Sequence, residues 1–135
     1  MFKVFDLAGT GMSAQNLRLN LVASNLANAN SVSSSIDQTY KSRQPVFQTL
    51  LDEQNSAEPA VGVRMAGVVE SQAPFEMEYA PNHPMANEEG YIFRSNVNIV
   101  EEMANMIAAS RAYQSNVEVV NSAKTMAART LELGK

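Results

Sequence analysis

The sequence has no cysteine and no tryptophan, a single histidine (His83), and only nine aromatic residues among 135. Without cysteine there is no disulfide framework, thiolate metal site or cysteine nucleophile, and the redox compartment stays open. The net charge is −4 with no run of lysine or arginine. Attraction to nucleic-acid phosphates needs clustered positive charge, so no nucleic-acid partner is expected. Long hydrophobic runs are missing too. The longest, Met65-Ala-Gly-Val-Val69, is five residues, against roughly 18 for a spanning helix. Lys3 is followed soon by Asp6, and polar residues return by Thr10, so no cleavable secretory signal is expected, and the reading is a soluble protein made in the cytoplasm.

Small and polar side chains stand where the large ones are missing. Of 61 apolar residues 18 are alanine, and there are 13 asparagines and 13 serines. Such a chain supports one small domain with a meagre core and surfaces suited to partners. Charge divides it unevenly: residues 1–30 carry +1, residues 31–95 carry −5, and residues 96–135 balance four acids against four bases. All five prolines lie between Pro45 and Pro84. Both ends are therefore free to run as unbroken helices.

The N-terminal segment reads as a helix from about Phe5 to about Asn30. Phe5, Met12, Leu19 and Leu26 recur every seven residues, with Ala8, Gln15, Val22 and Ala29 interleaved, which is an a/d seam with one polar defect. Gly9 and Gly11 make its start pliant. The polar run Asn28–Ser35 ends it, because short polar side chains compete for backbone hydrogen bonds.

At the other end, Asn98 with Glu101 has capping-box spacing, and Gly134 marks a stop. A helix over Ile99–Leu133 would be a rod of roughly 50 Å. Its seam is Ile99, Met106, Tyr113, Val120 and Ala127 against Met103, Ser110, Val117, Lys124 and Leu131; Val119, Ala123, Met126 and Leu133 form a second apolar edge. Two edges suit a helix with more than one neighbour.

Between the ends, Gln44–Leu51 and Val61–Val69 read as strands paired in a hairpin across a polar Asp52–Pro59 loop. Gln72–Gly90, rich in Pro, Glu and Asn, reads as an irregular connector. The expected fold is mainly α: long terminal helices in a coiled-coil-like pair, with a small β-hairpin and extended middle region. Residues 1–30 and 96–135 would form one helical unit and residues 31–95 the middle.

No constellation for chemistry survives inspection. Glu76, Glu78, Glu88 and Glu89 flank His83, but no second histidine or cysteine completes a metal ligand set. No serine sits in a nucleophile elbow, and Gly9-Thr-Gly11 lacks the lysine and spacing of a phosphate loop. The expectation is no enzyme, no cofactor, no metal and no small-molecule substrate. The terminal seams remain open to two readings, a private helical hairpin or an assembly surface. The second edge of the C-terminal helix and its excess of roughly two turns over the N-terminal one favour assembly.

Phe5-Asp-Leu-Ala-Gly-Thr-Gly-Met-Ser-Ala-Gln15, Arg18-Leu-Asn20 and Ala23-Ser-Asn-Leu-Ala-Asn-Ala29 resemble the N-terminal signature of bacterial flagellar rod and hook proteins. Tyr79–Ala86, Gly90-Tyr91, the run Asn96–Val117, Ala123–Met126 and Thr130–Gly134 resemble the proximal-rod members more narrowly. Met85 stands where the family usually has an acid, and Arg94-Ser95 where a proline commonly precedes the asparagine numbered 96 here.

The resemblance implies a structural subunit of the basal body whose terminal helices pack together and against neighbours in a helical tube. That tube is a periplasmic drive shaft transmitting torque from motor to hook. Implied partners are other rod proteins, copies of this chain, the adaptor joining rod to membrane ring, and the flagellar type III apparatus that exports the chain without cleavage. Interface residues would be Phe5, Met12, Leu19, Val22, Leu26, Ile99, Met103, Met106, Tyr113, Val117, Val120, Met126 and Leu131. Asn16, Asn20, Asn25, Asn105, Asn116 and Asn121 would set register, and Ala104, Ala108, Ala109 and Ala112 would permit close approach. The competing reading is a soluble helical adaptor or secretion chaperone that folds alone.

Overall fold

In the computed structural model, residues 2–51 and 60–134 are described. Helix α1 runs Phe2–Ala27 and helix α2 runs Ile99–Leu133. Between them lie β1 (Val32–Ser33), a 3-10 turn at Ile36–Gln38, β2 (Arg43–Leu51), β3 (Ala60–Glu70), β4 (Glu76–Tyr79) and β5 (Tyr91–Arg94). The expected Asp52–Pro59 loop lies outside the described residues.

Helix α1 starts and ends three residues earlier than expected, so Gly9 and Gly11 sit in its body. Its stop is the anticipated competition. Asn28 Nδ2 donates to the Ser24 carbonyl at 2.8 Å, which also accepts from the Asn28 amide at 3.1 Å, and Ser31 Oγ donates to the Asn28 carbonyl at 2.7 Å, local bonds that take the place of a further helical turn. Helix α2 begins as expected, with Asn98 Oδ1 accepting from the amides of Val100 (3.1 Å) and Glu101 (3.2 Å). Gly134 follows it with φ −91°, so it ends the helix without a left-handed cap.

The helices run antiparallel. Arg18 reaches Asn105, Gly11 faces Asn116, and Val4 lies among residues 115–126 of α2. A Cβ on Gly11 would come 2.9 Å from Asn116 Nδ2, so the absent side chain is what lets the helices close there. Ala109 is fully buried. The last turns of α2 project past the start of α1, with Leu131 75% and Leu133 89% exposed.

The mainly α expectation is corrected by the middle of the chain. Strands hold about 22% of the protein in two antiparallel sheets, a mixed α/β fold. Strands β2 and β3 pair from Arg43↔Glu70 to Leu51↔Ala60, with bulges after Val46 and Leu50. Both are edges, which is why Pro45 is tolerated within β2.

The second sheet, in the order β1-β5-β4, takes Glu76–Tyr79 out of the expected connector, whose other residues stay irregular. Strand β5 pairs with β1 through Val32↔Arg94 and Ser33↔Phe93, and with β4 from Glu76↔Arg94 to Tyr79↔Tyr91. Glu76-Met-Glu-Tyr79 does alternate, but all four residues are exposed and carry no hydrophobic signal. Gly90, at φ +83° with the Tyr79 ring 2.9 Å from any added Cβ, makes the turn into β5 glycine-dependent.

This sheet joins the residues that follow α1 to those that precede α2, and a polar knot ties the hairpin to the same point. Asn25, 1% exposed, donates to the Arg43 carbonyl at 2.8 Å. Its Oδ1 accepts from Tyr40 Oη at 2.9 Å and from the Arg43 amide at 3.0 Å. Asn96 accepts from the Ser42 amide at 2.7 Å and donates to the carbonyls of Ser71 and Ala73. The core is correspondingly small and half polar. Ala8, Ala14, Val22, Ile92, Ala109 and Ala123 are buried alongside Asn25, Ser33, Thr39, Ser42, Ser95 and Glu102.

Candidate functional site

The large apolar side chains that the sequence placed on seams are, for the most part, left available by the folded chain. Of the thirteen candidate interface residues, only Val22 is buried within the subunit. Phe5, Met12, Leu19 and Leu26 on α1, and Met106, Val117 and Val120 on α2, are half-buried. Ile99, Met103, Tyr113, Met126 and Leu131 are exposed. The contact between the helices is made largely by small residues, Ala8, Ala14, Gly11, Ala109 and Ala123, instead of interlocking large a/d side chains. A helix pair held by alanine and glycine approaches closely but buries little apolar area per residue.

More of this surface is apolar than the seam pattern predicts. Val4, Leu7 and Leu17 on α1, and Val100, Ile107, Val119 and Leu133 on α2, are exposed as well. The signal for Val119, Met126 and Leu133 was the second stripe of α2, of which only Ala123 is buried. Val119, Ala123 and Met126, with Val4, line a groove of about 690 Å³ beside the N-terminal end of α1. The hairpin adds Val46, Phe47, Val63, Val68 and Val69, all exposed.

The asparagines proposed as register-setters divide. Asn25 is consumed inside the subunit, Asn105 accepts from Arg18 Nη2 at 3.0 Å, and Asn116 packs on Gly11. Asn16, Asn20 and Asn121 are exposed. Ala109 is the one buried alanine of the four named on α2; Ala104 and Ala108 are exposed and Ala112 half-buried. Gly62 is a functional small residue that sequence reasoning missed. A Cβ there would lie 2.5 Å from Thr10 Oγ1, and that hydroxyl accepts from the Val63 amide at 3.2 Å. The hairpin is thereby seated on α1. Thr10 also donates to the Leu7 carbonyl at 2.8 Å, so Gly9-Thr-Gly11 is a docking point within a helix.

Electrostatics add little to this surface. Arg94 pairs with Glu78 at 2.6 Å and Lys41 with Glu70 at 3.9 Å, all four side chains well exposed, and such pairs contribute about 0–1 kcal/mol. His83 closes a turn, its Nδ1 accepting from the Met85 amide at 3.0 Å. Among the described residues no group of three or more His, Asp or Glu side chains could hold a metal ion. No helix among them is long and apolar enough to cross a membrane.

The long helix pair leaves apolar edges uncovered and carries a β-hairpin tied to α1 by polar contacts at Thr10 and Asn25. Comparison with known proteins gives it a family. A profile described as "Flagella basal body rod protein" matches residues 5–33, and one described as "Flagellar basal body rod FlgEFG protein C-terminal" matches residues 88–133. The flagellar basal-body rod protein FlgC of Escherichia coli O6:H1 is 47% identical over 137 positions, covering all of this chain and 98% of the relative. The chain belongs to the flagellar basal-body rod protein family.

FlgC of Salmonella typhimurium strain LT2 is 44% identical over 135 positions, with the same coverage. FlgC of Borreliella burgdorferi is 32% identical over 140 positions, 93% of this chain and 92% of the relative. The chain is thus a structural rod protein of the flagellar basal body. The matched segments coincide with α1 and the turn after it, and with β5 and α2. Nothing in the comparisons points to a secretion chaperone or adaptor.

Proposed function

We propose that this rod protein assembles through α1 and α2 into a helical tube that serves as a drive shaft, transmitting torque from motor to hook. Residues 1–30 and 96–135 form the axial unit and residues 31–95 the unit that fills the space beside it. The tube lies in the periplasm. Its neighbours are other rod proteins, further copies of this chain, and an adaptor to the membrane ring, and the chain is delivered by the flagellar type III apparatus without cleavage. Twelve of the thirteen seam residues, all but the internally buried Val22, joined by Val4, Ile107, Val119 and Leu133, make the contacts.

The observation that carries this reading is the uncovered apolar edge of α2. Met126, beside Val4 of α1, is 64% exposed, and Leu131 and Leu133, on turns past the start of α1, are 75% and 89% exposed. Fully burying such a side chain is worth about 1.5–3 kcal/mol, so a neighbour laid along this edge gains a large driving force that the isolated subunit forgoes. Met126→Asp tests it. An aspartate at this exposed position leaves the helicity of the isolated chain unchanged, but within an interface it is a buried unpaired charge. Cells carrying it in place of the wild-type chain are expected not to swim and to hold basal bodies that stop at the membrane ring, as in a deletion strain. Wild-type swimming would remove the edge from the interface.

A further inference from the structure

The sheet β1-β5-β4 ends at β4 in an open edge, and the hydrogen bonds beside it fix which backbone groups that edge presents. The Ala80 amide donates to the Gly90 carbonyl at 2.9 Å, one step beyond the pair Tyr79↔Tyr91. On the other side of β5 the Ser95 amide donates to the Ser31 carbonyl at 3.3 Å, one step beyond Val32↔Arg94. Bonded and non-bonded pairs alternate along an antiparallel ladder. Residues 76, 78 and 80 therefore bond to 94, 92 and 90, while 93 and 95 turn their groups toward β1. Met77 and Tyr79 fall in the non-bonded pairs. Their N–H and C=O groups point away from β5, and no partner for them is found among the described residues.

Side chains along β4 sort onto two faces. Met77 and Tyr79, 57% and 64% exposed, share one, where the Tyr79 ring meets Tyr91 edge-on at 5.1 Å. Glu76 and Glu78 share the other. Arg94 pairs with Glu78 and stands opposite Glu76, so one guanidinium serves two carboxylates. Glu76 has no ion pair among the described residues, and residues 76–94 hold four acids against one base. Pro74 and Pro81 bracket the strand, which limits an added strand to roughly four paired residues.

The geometry points to β4 as a docking edge for an extended segment of another polypeptide in which lysine or arginine alternates with apolar residues. Such a segment bonds through its backbone to Met77 and Tyr79. Its basic residues meet Glu76 and Glu78, and its apolar residues cover Met77 and Tyr79. Pairing with β4 of a second copy sets glutamate against glutamate, which is unfavourable. Nor does this chain supply another strand of the required pattern. Its one pair of bases at alternate positions, Lys41 and Arg43, has Ser42 between them, and the amides of Ser42 and Arg43 are taken by Asn96 and Asn25. The acids that keep like strands away thus select the partner. This contact lies beyond the tube reading and uses neither helix edge.

In cells lacking the chromosomal copy, the full-length chain carries the photo-cross-linker p-benzoylphenylalanine in place of Tyr79. Irradiation of swimming cells is expected to give an adduct whose partner peptide, identified by mass spectrometry, comes from a different protein and alternates basic with apolar residues. Met77→Pro should abolish that adduct. It deletes an outward N–H and leaves the ladder to β5 whole, so the circular dichroism of the chain is kept. No adduct, an adduct to another copy of this chain, an adduct to a segment without that pattern, or one that survives Met77→Pro overturns the proposal. Should the replacement at Tyr79 stop swimming, a titration decides. A capped hexapeptide alternating lysine with valine should shift the Met77 and Tyr79 amide resonances of the isotope-labelled full-length chain, and a glutamate–valine hexapeptide should not. Met77→Pro should weaken binding of the lysine peptide by about tenfold or more. Equal shifts from both peptides, or none from the lysine peptide, overturn the proposal.

Discussion

Replacing Asn25 with alanine should be among the most damaging single changes outside the assembly surface. Its side chain is almost completely enclosed and makes three hydrogen bonds, to both backbone groups of Arg43 and to Tyr40 Oη, at 2.8–3.0 Å. At about 1 kcal/mol for each bond, with a further share for partners left unsatisfied, the loss is about 2–4 kcal/mol. With a urea m-value of about 2 kcal/mol/M, the unfolding midpoint of the isolated chain would fall by about 1–2 M. Ser24→Ala is the internal control. It removes only the 3.2 Å contact to Tyr40 Oη and should cost about 0.5–1 kcal/mol. Asn25→Asp keeps the acceptor but sets a carboxylate against the Arg43 carbonyl, so it should destabilise as much as alanine. Hydrogen exchange at the Arg43 amide should quicken in the alanine variant. An Asn25→Ala midpoint no lower than that of Ser24→Ala would refute the idea that this knot holds the hairpin to α1.

Two further outcomes follow from the helices. Gly9→Ala meets nothing within 4 Å, whereas an alanine at Gly11 must displace the Asn116 side chain from 2.9 Å. The first should therefore gain about 0.8–1 kcal/mol from helix propensity and the second clearly less, compared as melting temperatures by circular dichroism; equal gains would remove Gly11 from the helix contact. Asn98→Ala deletes the acceptor for the Val100 and Glu101 amides and should cost about 1 kcal/mol, read from the urea midpoint, with Asn98→Asp retaining most of the stability.

How much could be read ahead of folding depended on the range of the interaction. Proline-free ends, heptad spacing, the Asn98 cap and Gly134 are local signals, and they located both helices to within three residues. The strands of the hairpin were legible because each carries its own β-rich composition. The β1-β5-β4 sheet was not, since Val32–Ser33 is too short to signal and meets its partner, Tyr91–Arg94, only through chain reversal over some sixty residues. Asn25 was flagged for the right chemistry and the wrong neighbour. Its place in a helical stripe says that it faces something, but whether that is Arg43 of the same chain or a side chain of the next is a matter of packing.

By itself the sequence determined the two long helices, the shortage of large core side chains and membership of a rod family, because period, capping and motif are written residue by residue. Tertiary structure decided which half of each apolar seam is spent inside the subunit and which is left over. Gly11, Ala109 and Ala123 bring α1 and α2 together, and the larger Met103, Met126 and Leu131 remain uncovered, because close helix contact selects small residues and α1 is too short to reach the end of α2. It also decided that, among the described residues, the buried charge is Glu102, whose unsatisfied oxygen no spacing rule could have singled out.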